Sequence, residues 1–238
     1  MSNTLNTYKT IGILGGMGPE ATYKVYEYIV NIFQRERGAV HDADFPQIII
    51  NSIPVPDMVS GSGLENTYIY QCLKSGINVL KNAGADCIII PCNTAHTFLS
   101  GHEHEIKSWN LIHMIEIVAT HLSILRKKNT LILGTKTTIQ SQIYQDALLD
   151  KNIDYCVPNQ DEQKKITNVI LNVLAGQHTL NDHDCLVEII QNHDCDSVIL
   201  GCTELPLILT EGYIGKMVIV DTLQILAKNA FNFSICNL

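Results

Sequence analysis

Apolar positions along this chain alternate between two patterns. Short runs rich in β-branched residues are separated by longer stretches with a helical period. Residues 10–14 (TIGIL), 47–51 (QIIIN), 87–90 (CIII), 130–133 (TLIL), 197–200 (SVIL) and 217–220 (MVIV) read as strands. Helices are predicted over residues 19–34, opened by Pro19 in a first-turn position, and over 65–82, 114–126 and 139–149. Further helices are predicted over 160–175, 180–192 and from Thr222 onward, with Gly176 placed to end the first of these. Strand alternating with helix predicts a parallel α/β protein.

An internal repeat underlies the alternation. Residues 85–94 (ADCIIIPCNT) align with 195–204 (CDSVILGCTE) at an offset of 110, matching Asp86 to Asp196 and Cys92 to Cys202. Ile13-Leu14-Gly15 matches Ile132-Leu133-Gly134 at an offset of 119. Two pseudo-symmetric α/β domains are expected, drawn as residues 1–104 with 217–238, and residues 105–216.

Composition narrows the class. The 238 residues are 46% hydrophobic and only 17% charged, enough for a substantial core and incompatible with intrinsic disorder. Sixteen Lys+Arg against 24 Asp+Glu leave a net charge of −8, and the longest basic run is Arg126-Lys127-Lys128. Nucleic acid and anionic membrane are therefore not expected partners. No apolar run reaches the roughly 18–20 residues of a membrane span, and the opening MSNTLNTYK lacks the apolar core of a secretory signal. A cytoplasmic protein is expected. Its eight cysteines, with no Cys-x-x-Cys among them, are expected to be reduced and mostly buried.

Gly16-Met17-Gly18-Pro19-Glu20-Ala21 fits G-x-G-x-x-A between a strand and a helix, the setting of a dinucleotide fingerprint. The next strand, however, ends in Asn51 and Ser52, where a ribose-binding carboxylate is required. The turn is better read as bringing main-chain N–H groups near an anion. Cys92 and Cys202 carry more chemistry. Each follows an apolar strand and precedes polar residues able to open a helix, and ligands of parallel α/β sheets bind beyond strand carboxyl ends. A helix N-terminus lowers a thiol's pKa, so thiolate is expected near neutrality. Two opposed thiols suit racemisation at a carbon acid. One removes the α-proton, the other returns a proton to the opposite face, and nearby N–H and hydroxyl groups stabilise the developing charge.

TIGILGGMGPEAT, IIIPCNTAH and VILGCTELP resemble the cofactor-independent aspartate/glutamate racemase superfamily, its aspartate racemases most closely, over essentially the whole chain. The resemblance implies two α/β domains with the active site in the cleft between them, commonly as a homodimer. It implies an amino-acid substrate, no cofactor, and Cys92 and Cys202 as the two bases. Asn93, Thr94 and Thr203 would hold the α-carboxylate, Met17 would lie near the cleft, and Thr135 and Thr138 would face the substrate. Glu204 and His96 would support the cysteines, His96 from one helical turn beyond Cys92.

Two departures bear on the substrate. Similar aspartate racemases carry an arginine where this chain has Met58, and a lysine where it has Leu174. Those cations are thought to hold the side-chain carboxylate, so an apolar lining and a poor aspartate substrate are expected here, unless Lys136 or Lys164 reaches the pocket. His96, His102 and His104, and the pair His113 and His121, lack zinc-site spacing, so no metal is expected. The competing readings are another superfamily isomerase acting on a small carboxylic acid, and a non-catalytic dinucleotide- or ligand-binding module.

Overall fold

The β-branched runs build two sheets. In the computed structural model, which describes residues 8–59, 66–210 and 212–236, β1 (Ile11–Gly15) lies between β2 (Ile48–Ser52) and β3 (Cys87–Ile89), all parallel. The second sheet contains β4 (Asn129–Gly134), β5 (Asp154–Cys156), β6 (Ser197–Gly201), β7 (Tyr213–Ile214) and β8 (Met217–Asp221). Its order is β5-β4-β6-β8-β7, with only β7 antiparallel. The central strands β1 and β6 are buried along their whole length, as apolar runs without polar alternation require.

The registers of the two sheets reproduce the sequence repeat. Ile11 pairs with Cys87 in the first sheet, and their repeat partners Thr130 and Ser197 pair in the second. Asp86 accepts the N–H of Thr10 at 2.7 Å just before β1, and Asp196 accepts that of Lys128 at 2.8 Å just before β4. The repeat is thus a repeated fold, with order β2-β1-β3 matched by β5-β4-β6.

The helices are α1 (Pro19–Arg37), α2 (Asn66–Asn82), α3 (Asn93–Thr97), α4 (Glu103–Ser108) and α5 (Met114–Ile124). They continue with α6 (Lys136–Gln140), α7 (Ile143–Leu149), α8 (Gln160–Leu174), α9 (Leu180–Gln191) and α10 (Thr222–Ile235). α1 buries Ala21, Val25, Ile29, Ile32 and Phe33 at helical spacing and stops at Gly38, whose φ of 64° is the left-handed cap. α8 opens on a capping box between Asn159 and Glu162. The helix predicted over 139–149 is instead two, broken where Gln142 takes a φ of 59°. Among the described residues no helix is long and apolar enough to cross a membrane.

The returning segment, drawn from the sequence with the first domain, divides between the halves. β8 pairs with β6 in the second sheet, whereas α10 packs on α1 and α5. In turn α5, which that drawing places in the second domain, packs on α7 as well as on α10. Helices α1, α5, α7 and α10 therefore form a shared seam, with Phe33, Phe231, Leu122 and Leu148 in one continuous core.

Candidate active site

The cavity between the halves begins at the glycine-rich loop. Gly16 has a φ of 96°, and a Cβ there would lie 2.3 Å from the Ile53 carbonyl oxygen, so the chain needs glycine at this point. Thr22 Oγ1 accepts the Gly16 N–H at 3.0 Å and donates to the Gly18 carbonyl at 3.2 Å, clasping the loop to α1. The loop forms one wall of a cavity of about 220 Å³. The other walls come from residues 55–59 after β2, residues 92–94 after β3, Thr135 after β4, Leu174 at the end of α8, and residues 202–204 after β6. Five strands thus deliver residues to it from their carboxyl ends, as ligand sites of parallel sheets require.

Cys92 and Cys202 both line this cavity, at 6% and 4% exposure. Burial pushes the Cys92 thiol up to about 12, against the pull of the Ala95 and Thr94 N–H groups at the start of α3. Burial also raises Cys202 well above its ordinary value, and the Glu204 carboxylate beside it adds to the effect. Cys202 Sγ donates to Glu204 Oε2 at 2.9 Å, and Thr203 Oγ1 donates to the same oxygen at 3.3 Å. Burial lifts Glu204 above the usual carboxylate range despite these two donors. Burial thus works against the thiolate expected near neutrality: at both cysteines desolvation outweighs the pull of the N–H groups.

Beside Cys92, three hydroxyls form a closed triangle. Thr94 Oγ1 is 3.0 Å from Thr135 Oγ1 and 3.1 Å from Thr138 Oγ1, and the latter two are 3.0 Å apart. Thr94 and Thr135 line the cavity, while Thr138 stands behind them and fixes their orientation. Asn93 lines the cavity too, but its amide is committed elsewhere. Its Oδ1 accepts from Tyr144 OH at 2.5 Å, and its Nδ2 donates to Thr222 Oγ1 at 3.2 Å. Tyr144, Thr22 and Thr222 were not foreseen from sequence. Thr22 closes the TIGILGGMGPEAT motif and Thr222 opens the predicted last helix, so both carried a signal, whereas Tyr144 carried none.

Met17, Met58, Thr203, Glu204 and Leu174 also line the cavity. His96 does not. It is fully buried within α3, its Nε2 3.3 Å from the Ile90 carbonyl oxygen and its ring edge-on to His113. Neither lysine named from the sequence reaches the lining. Lys136 borders a separate groove, and Lys164 pairs with Asp161 at 2.8 Å. Among the described residues no group of three or more His, Cys, Asp or Glu is arranged to hold a metal ion.

Residues 14–230 match the Asp/Glu/Hydantoin racemase family. The chain belongs to that family. It is similar to the broad specificity amino-acid racemase RacX of Bacillus subtilis, with 30% identity over 92% of this chain and 95% of that one. Among solved structures it resembles an aspartate racemase of Picrophilus torridus, at 28% identity and a TM-score of 0.78 over 95% of this chain and 94% of that one. An aspartate racemase homologue from Pyrococcus horikoshii gives 27% identity and a TM-score of 0.76 over 95% and 99%. This racemase therefore has the two-domain α/β fold expected of it, and it is an isomerase of the amino-acid racemase type.

Proposed function

We propose that this racemase interconverts the enantiomers of an amino acid by a two-base mechanism, using Cys92 and Cys202 and no cofactor. The observation that carries the reading is the pair of buried thiols, one from each half-repeat, lining one small cavity at equivalent strand ends. A thiolate on one side breaks the substrate's Cα–H bond and takes the proton as a thiol. The opposite thiol delivers its own proton to the other face, which leaves product and exchanges the protonation states of the two sulfurs.

One thiolate has to be generated in a site that favours thiols. Glu204 is suited to this, because it already accepts the Cys202 proton in a hydrogen bond while burial has raised its own basicity. An incoming α-ammonium group adds a positive charge beside the sulfurs and lowers the cost of ionising them. The hydroxyls of Thr94 and Thr135, with the main-chain N–H groups opening α3, offer donors for the α-carboxylate and for charge developing on it. Asn93 acts as a strut: with its amide held by Tyr144 and Thr222, it locks α3 to the second half. The superfamily resemblance extends the proposal to a homodimer acting in the cytoplasm.

The test is incubation in D2O with a panel of L-amino acids, under reducing conditions, with a chelator present and no added pyridoxal phosphate. Formation of the D-enantiomer carrying α-deuterium is the expected result. Turnover that is lost on chelation and restored by a divalent ion contradicts the proposal.

A further inference from the structure

Strand β8 carries Thr222 to a position behind the cavity wall. Its last residue, Asp221, pairs with Leu200 of β6, so the residue that follows stands beside the end of that strand. Asp221 also caps α10. Its Oδ1 accepts the Leu223 and Gln224 N–H groups at 2.8 and 3.2 Å, and Tyr28 OH donates to its Oδ2 at 3.0 Å. The first turn of α10 is thereby fixed, with Thr222 fully buried. Thr222 Oγ1 donates to the Leu200 carbonyl oxygen at 3.1 Å and accepts from Asn93 Nδ2 at 3.2 Å. A carbonyl oxygen can only accept, so the direction of every bond in the chain from Tyr144 through Asn93 and Thr222 is determined.

Both ends of this hydroxyl bridge lie on cysteine-bearing segments. Asn93 adjoins Cys92, and Leu200 is two residues before Cys202. One oxygen atom thus ties the two segments through two hydrogen bonds. Ile90, the repeat mate of Leu200, has a carbonyl oxygen that accepts the Cys92 N–H at 2.8 Å and lies 3.3 Å from His96 Nε2. Each strand end before a cysteine is therefore held by a buried side chain, from α3 in one half and from α10 in the other. Only Thr222 also holds the opposing segment. It does not line the cavity, so it acts on substrate only through the segments it ties. We propose that Thr222 is a positioning residue whose shared hydroxyl sets the separation of Cys92 and Cys202 across the substrate's α-carbon. The inference rests on the two-base reading of the cavity. Without the hydroxyl, Asn93 Nδ2 and the Leu200 carbonyl both lose a partner, the segments shift, and the second thiol no longer meets the carbanion in line. The first thiol then exchanges its proton with solvent and returns a solvent proton to the face it served.

The experiment runs racemisation in D2O at low conversion, with whichever L-amino acid the parent turns over fastest. It reads the ratio of α-deuterium in recovered L-substrate to α-deuterium in D-product. Thr222→Val should lower kcat about 10- to 100-fold with KM nearly unchanged, and should raise the ratio several-fold. Thr222→Ser keeps the hydroxyl and should restore both. Loss of folded protein lowers the two deuterated species alike and leaves the ratio unmoved. Should Thr222→Val not fold, Thr222→Ala, which leaves room for a water between the two unpaired groups, takes its place with the same expected rise. A folded variant lacking the hydroxyl with the parent's kcat and ratio, or a raised ratio that Thr222→Ser does not restore, overturns the inference. Racemisation that survives in Cys92→Ala or Cys202→Ala overturns instead the two-base reading beneath it.

Discussion

The thiols of Cys92 and Cys202 are pushed up because the fold takes sulfur out of water, and a nearby N–H group or two does not offset that cost. The sequence shows which cysteines follow strands and repeat at a constant offset, so both were legible without coordinates. Their basicity was not, because burial is a property of packing between halves far apart in sequence. The same holds for Asn93, whose amide is consumed by Tyr144 from the second half and by Thr222 at the start of α10. Met58 and Leu174 were legible as departures from a pattern, and both line the cavity. Replacing them with cations, Met58→Arg with Leu174→Lys, should shift preference toward aspartate by more than the two single changes combined, since both charges would face one carboxylate. Ratios of kcat/KM for aspartate over norleucine measure this; a double variant no better on aspartate than the parent contradicts it.

Element by element, long periodic segments were readable, and of the three-residue strands β3 was read from its apolar run while β5 was not. β1, α1, α8 and β6 announce themselves by continuous apolar runs or by helical spacing with caps. β5 has three residues, one exposed and two half-buried, and α3 has five, so neither is long enough to show a period. The break between α6 and α7 depends on Gln142 adopting a left-handed conformation, which its residue type does not signal. Yet α3 is the element that carries Asn93 and Thr94 to the cavity, and it is held by tertiary contacts rather than by its own propensity. Tyr144→Phe removes the donor to Asn93 Oδ1 and leaves a buried acceptor unpaired, so it should cost about 1–3 kcal/mol of stability. Urea unfolding of parent and variant reads this directly. An unchanged midpoint would show that the strut from α7 to α3 contributes nothing.

At the scale of the whole molecule, two half-repeats share a seam built from α1, α5, α7 and α10, and the cavity opens where their strands end. The repeat was visible in the sequence, but the division of the returning segment, strand to one half and helix to the other, was not, because it depends on packing partners. Burying several thiols has a consequence for stability. Cys87, Cys92 and Cys195 are each raised to about 12, chiefly by burial, from an ordinary value of 9.0. Above pH 9 the unfolded chain releases these protons while the folded chain keeps them, so stability, complete below that pH, falls as pH rises toward 12. Unfolding midpoints between pH 7 and 10.5 should show the decline, with a shallower slope for Cys87→Ala; a flat profile contradicts it.

The central claim is that Cys92 and Cys202 act from opposite faces of one carbon. Its most direct test is the rate of racemisation in D2O by Cys92→Ala and Cys202→Ala, each checked for a native circular dichroism spectrum and measured with whichever amino acid the parent turns over fastest. Each variant should lose racemisation by roughly 10³-fold or more, because one base or one acid is missing on a face nothing else serves. A folded variant of either kind that racemises at the parent rate would contradict the two-base account.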